Sequence, residues 1–116
     1  MKLEVDTASP VPPFEQVRER LAGAILAGEL APGERLPSIR QLASDLGLAA
    51  GTMARAYTEL ERAGLVVTAR GRGTRVGGTA EADGAVRSAA DAYIAAARGS
   101  GLDLGAMVAL LRARHS

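Results

Sequence analysis

The sequence predicts a mainly α-helical chain with a small β-wing, a winged helix-turn-helix domain followed by a two-helix segment. Three observations carry that prediction. Two short amphipathic patterns flank Gly47, the period then changes to β-forming residues around an arginine-glycine tip, and a small polar stretch precedes a second helical region. Their order is that of a helix-turn-helix with a wing beside it.

Each element has a local cause. Leu3 and Val5 alternate with Lys2, Glu4 and Asp6, the pattern of a short edge strand, and residues 8–13 form a proline-rich connector. From Phe14 the residues Phe14, Val17, Leu21, Ala24 and Ile25 recur at helical spacing, and Gly28 closes that pattern near the Leu30-Ala31-Pro32-Gly33 turn. The next helix runs from Ser38 to Asp45. Ile39, Leu42, Ala43 and Leu46 share its apolar face, Ser38 supplies an N-cap oxygen, and Gly47 stops it. After a few residues Met53, Ala56, Tyr57, Leu60 and Ala63 repeat the same period up to Gly64, turning Thr52, Arg55, Thr58 and Glu59 outward. Leu65 to Thr68 and Thr74 to Val76 then read as two strands joined by Arg70-Gly71-Arg72-Gly73.

The winged domain is expected over residues 1–76, a linker over 77–84 and a helical segment over 85–116. In that segment Val86, Ala90, Tyr93, Ile94 and Ala97 share one face. Gly99-Ser100-Gly101 breaks the chain, and Asp103 caps a last helix bearing Leu104, Met107, Val108 and Leu111. Two short alanine-rich helices bury too little surface to stand alone. A second copy of the chain is the favoured partner, with Val86, Tyr93, Ile94, Leu104, Met107, Val108 and Leu111 as candidate dimerisation residues; the alternative is that the helices cap their own winged domain.

Composition narrows the function. The net charge is only +1, yet from Arg62 to Ala80 there are four arginines and no acidic residue, so the positive potential is local to the wing. No cysteine is present, and the one histidine, His115, lies at a terminus expected to fray, so neither a metal site nor a thiol nucleophile nor a cofactor is expected. No apolar run resembles a signal peptide or reaches a membrane-spanning length, which implies a cytoplasmic protein without a membrane partner. HExxH, GxSxG and P-loop patterns do not occur, and Gly71-Arg72-Gly73 lacks the third glycine of a dinucleotide site, so an enzyme is not expected. The aromatics are limited to Phe14, Tyr57 and Tyr93, too few for stacking on single strands.

The stretch from Leu30 to Ala43, Leu-Ala-Pro-Gly-Glu-Arg-Leu-Pro-Ser-Ile-Arg-Gln-Leu-Ala, followed by Leu60-Glu61-Arg62-Ala63-Gly64-Leu65-Val66, resembles the DNA-binding domain of GntR-family transcription regulators. Pro10, Pro12, Pro13, Phe14, Glu15, Gln16 and the Arg55-Ala56-Tyr57 triplet resemble the short YtrA-type branch, whose members end in two dimerising helices. The resemblance implies a homodimeric repressor covering a pseudo-palindromic operator in double-stranded DNA, with a transporter operon and its own gene as typical targets. A small-molecule effector would sit between the C-terminal helices and the winged domain, although no residue constellation marks its pocket. The resemblance also implies DNA contacts from Arg40 in the Pro-Ser-x-Arg segment, from Thr52 at the start of the recognition helix, and from Arg55 and Tyr57. Gly71, Arg72, Gly73 and Thr74 match the wing tip that approaches the minor groove. The departure lies at Ala49-Ala50-Gly51, where the family usually carries polar residues that reach a base.

The chemistry of those positions fits the expectation. Ser38, Arg40, Ala50, Gly51, Thr52, Arg55, Tyr57, Arg70, Gly71, Arg72, Gly73 and Thr74 form the candidate DNA site. Arginine bonds guanine in bidentate fashion, a glycine-flanked arginine suits a narrow minor groove, and the amides after Ala49 lack a side-chain cap and are open to a phosphate. Arg40 and Arg55 have a plainer alternative as solvated helix faces, and Tyr57 one as a core residue with its hydroxyl at the backbone. The rival function is a winged helix used only for protein contact, which calls for an uncharged apolar outer face; Thr52, Arg55, Thr58, Glu59 and Arg62 argue against it.

Overall fold

The computed structural model describes residues 3–69, 71–77 and 84–115. Its elements follow in the order α1 (Pro13–Leu26), α2 (Ile39–Leu46), α3 (Ala50–Arg62), β1 (Val66–Ala69), β2 (Gly73–Val76), α4 (Gly84–Gly99) and α5 (Leu104–His115). The chain divides into two compact units, Met1–Glu81 and Ala82–Ser116.

In the first unit the helix starts and stops are chemical. Pro13 opens α1, where a missing N–H costs nothing. Ser38 Oγ accepts from the Gln41 amide at 3.0 Å and caps α2, and Gly47, left-handed at φ +67°, ends it. α1 and α2 both pack on α3. Val17, Leu21 and Ile25 from α1, Leu42 and Ala43 from α2, and Met53, Ala56, Tyr57 and Leu60 from α3 form one buried cluster, closed by Leu30, Leu36, Val66 and Val76. Burying each large aliphatic side chain there contributes about 1.5–3 kcal/mol.

The wing pairs antiparallel with Val66 opposite Val76 and Ala69 opposite Gly73. It is wider than a hairpin. Residues 33–36 run along the free edge of β2: Leu36 N donates to Thr74 O, Val76 N to Glu34 O and Gly33 N to Val76 O, each at 2.9 Å. The Pro-Gly turn and the wing, far apart in sequence, are therefore one sheet-like ribbon.

The structure departs from the sequence expectations in four places. Leu3 and Val5 pack on the core, but residues 3–6 form no strand, and the segment that pairs along the edge of β2 is residues 33–36. Gly77, read as the first linker residue, is buried, and its amide donates to Leu65 O at 2.9 Å. A Cβ there would meet Gly64 O at 3.0 Å, so any larger residue would have to push that carbonyl aside to close the ribbon against the end of α3. His115 is still helical at the end of α5 rather than frayed. Gly84, read as the last linker residue, is the first of α4, and the rest of the expected linker, residues 78–83, lies outside the described residues.

The second unit is a helical hairpin. Gly101, at φ +80°, turns the chain, and Asp103 Oδ1 accepts from the Ala106 amide at 2.9 Å to cap α5. Ala97 and Met107 are the buried residues among those described in this unit, and Tyr93 O–H donates to Met107 O at 2.7 Å between the helices.

Candidate nucleic-acid interface

α2 and α3 meet around Gly47 as a helix-turn-helix, and their N-termini are built differently. At α2, Ser38 uses an oxygen lone pair for its cap and keeps its hydroxyl proton for an outside acceptor. At α3, Ala49 makes no side-chain cap. Thr52 and Met53 donate to Ala49 O at 3.1 and 3.3 Å, whereas Ala50 and Gly51 are exposed, with open space where a Gly51 side chain would stand. Their amides and the positive end of the α3 dipole face outward over two small residues, an arrangement that admits the close approach of an anionic oxygen.

Tyr57 is a core residue. It is 4% exposed, and its hydroxyl donates to Pro37 O at 2.6 Å. Burial pushes its phenol up to about 12, so it remains a donor at any physiological pH. The bond ties the middle of α3 to the segment that caps α2, and so fixes Ser38 and Arg40 relative to α3. Tyr57 thus acts on the site through the backbone it holds.

Arg40 is exposed, and among the described residues its guanidinium has no hydrogen bond or ion pair. Arg55 is exposed too, but its guanidinium carbon stands 3.7 Å from the centroid of the Phe14 ring, stacked on the start of α1. Thr52 is half-buried in the first turn of α3. At the wing, Arg72 is exposed after a turn in which its amide donates to Ala69 O at 2.9 Å, and Gly71 and Gly73 both hold positive φ. Thr74 faces Thr68 across the strands, hydroxyl to hydroxyl at 3.2 Å. Arg70 lies outside the described residues.

Beside Arg75, whose charge the sequence left open between a phosphate contact and a strand edge, the ribbon brings one basic residue that sequence reasoning did not place there, Arg35. A Cβ on Gly73 would stand 3.3 Å from Arg35 Nε, so the Arg35 side chain lies along the return strand of the wing. Arg75 Nη1 donates to Gly33 O at 3.2 Å, in the same ribbon. The pairing of residues 33–36 with β2 is what brings them together, and no local pattern announces it.

Among the candidate dimerisation residues, Tyr93 and Met107 serve the interior of the hairpin, while Val86, Ile94, Leu104, Val108 and Leu111 are exposed, as is Leu110. No described helix is long and apolar enough to cross a membrane.

A capped α2, an uncapped α3 and an arginine-bearing wing on one core are the parts of a DNA-reading winged helix, and comparison with known proteins decides the family. Residues 13–76 match the bacterial regulatory proteins of the gntR family. The chain belongs to the GntR family. Over 101 residues it is 46% identical to the HTH-type transcriptional regulator Rv1152 of Mycobacterium tuberculosis, covering 86% of this chain and 83% of that one. The HTH-type transcriptional repressor YtrA of Bacillus subtilis is 39% identical over 74 residues, 64% of this chain and 57% of the relative. Among solved structures, the DNA-binding domain of AraR in complex with operator ORX1 superposes with a TM-score of 0.58 at 28% identity, covering 66% of this chain and 98% of the other. This GntR protein is a transcription regulator with a DNA-binding winged helix, not an enzyme.

Proposed function

We propose that the protein is a homodimeric repressor that covers a pseudo-palindromic operator in duplex DNA. The observation that carries the reading is the state of Arg40 and Arg55. Both are exposed on the helix-turn-helix, and among the described residues neither guanidinium has a hydrogen-bond or ion-pair partner. Arginines whose donors are unspent beside a bare helix N-terminus suit the acceptor-rich surface of DNA.

In this reading Ser38, Thr52 and the amides of Ala50 and Gly51 hold phosphates, and Arg40 and Arg55 reach base edges or the backbone. Arg70 and Arg72, with Gly71, Gly73 and Thr74, carry the wing into the minor groove. Tyr57 keeps α2 and α3 in register for these contacts. The exposed Val86, Ile94, Leu104, Val108 and Leu111 bind the same surface of a second copy, which supplies the second half-site. The named function of the Bacillus relative supports repression. The protein's own gene and a neighbouring transporter operon are the targets this reading favours.

Enrichment from a random duplex library tests it. An inverted repeat with half-sites about one helical turn apart is expected. No enrichment by folded protein would turn the reading towards a protein partner for the winged helix.

A further inference from the structure

The first turn of α1 lies outside the helix-turn-helix, yet it touches one of its arginines. Phe14 covers one face of the Arg55 guanidinium at 3.7 Å. Beside it, Glu15 offers a carboxylate near enough for the charge of Arg55 to help lower its pKa. Such a carboxylate is a competing partner for the Arg55 donors. Here Arg18 occupies both oxygens instead: its Nε donates to Glu15 Oε2 at 2.9 Å and its Nη2 bonds Oε1. That hydrogen-bonded pair is the main reason the Glu15 carboxyl lies below its ordinary range, with the charges of Arg18 and Arg55 adding to it against a rise from burial.

We propose that Phe14 is a positioning residue for DNA binding, a platform that holds the Arg55 guanidinium flat with its N–H edges outward, and that Arg18 guards this arrangement by keeping Glu15 occupied. The proposal rests on the reading that Arg55 meets DNA. Its physical basis is preorganisation. A free arginine loses rotamer freedom when it binds, whereas a stacked one has already lost it, and stacking uses the π face while leaving every N–H donor available. The ligand chemistry is an acceptor edge, a phosphate oxygen or guanine O6 and N7.

The test uses the full chain and the duplex that the wild-type protein enriches from a random library, with an unrelated duplex of the same length at low salt beside it. Phe14→Leu is expected to weaken binding about three- to tenfold, with Phe14→Tyr restoring it. In an Arg55→Ala background Phe14→Leu is expected to have no further effect. A loss confined to the enriched duplex assigns Arg55 to a base edge, and an equal loss on both duplexes assigns it to phosphate; either supports the platform. Arg18→Gln is expected to weaken binding, and Glu15→Gln with Arg18→Gln, which together leave the net charge unchanged, to recover it. Independent losses from Phe14 and Arg55, or a double variant as weak as Arg18→Gln alone, would overturn the proposal. In the free protein the ring should shift the Arg55 side-chain protons upfield, and a spectrum without that shift overturns the platform whatever the DNA result. A protein with the shift that binds no duplex would instead overturn the DNA reading and the proposal with it.

Discussion

The two units of this chain solve the burial problem in opposite ways. The winged unit places Val17, Ile25, Met53, Ala56 and Leu60 wholly out of solvent, because α1, α2 and the ribbon surround α3. The helical hairpin has only two layers. Among its described residues it buries Ala97 and Met107, and it leaves Leu104 73% and Leu111 54% exposed. Apolar residues lie on several sides of α5, so α4 can cover only some of them. The difference teaches that a unit with a closed core is free to spend its surface on polar recognition, while apolar surface left open on a two-layer unit is what the proposed homodimer would cover.

Four measurements would sharpen or break this contrast. The largest effect belongs to the closed core: Leu60→Ala should cost about 2–5 kcal/mol in denaturant unfolding and remove DNA binding with it. A loss near zero would mean the winged unit is not held by its core. Next, Ile94→Asp with Leu111→Asp should leave helical content intact but give monomers in sedimentation, with operator affinity lower by about 100-fold as the second half-site is lost. Unchanged sedimentation would place the dimer elsewhere. Arg40→Ala should lower affinity for the enriched duplex by about 1–3 kcal/mol without changing unfolding, and relax one operator position if Arg40 reads a base.

The smallest effect is that of Tyr57→Phe, about 0.5–1.5 kcal/mol of stability from the lost bond to Pro37. Its pH signature is distinctive. The buried phenol titrates near 12 against an ordinary value of 10.0, so the folded chain keeps a proton that the unfolded chain releases. Its contribution is whole below pH 10 and falls as pH rises towards 12. Unfolding free energies of wild type and Tyr57→Phe, measured from pH 9 upward, should therefore converge; parallel curves would show that the tyrosine is not buried in solution.

Much of the winged unit was legible because its causes are local. The Ser38 cap, the left-handed stop at Gly47 and the apolar faces of α2 and α3 depend on residues only a few positions apart. The bare start of α3 was equally readable, since Ala49 has no side chain that could cap it. The edge strand expected at Leu3 and Val5 did not form, and the edge of β2 is paired by a non-local segment. Alternation marks residues that suit an edge, but which segment takes the edge of β2 depends on the chain returning there, and residues 33–36 do. Tyr57 shows the same limit at one residue, for the sequence left open both the groove and the core, and packing against Pro37 placed it in the core.

The sequence by itself determined the order of elements, the chemistry of the helix ends, the arginines of α2, α3 and the wing, and the family to which they belong. Propensity, capping and periodicity act over a few residues, so they are written in the order of the letters. Only the tertiary structure decided that Arg35 lies along the wing, that Arg55 rests on Phe14 while Arg18 engages Glu15, and that Gly77 closes the ribbon. These contacts join elements distant in sequence or select one partner among several nearby. Such choices are made by packing, through the excluded volume and shared solvent of neighbouring side chains, which no stretch of sequence read alone contains.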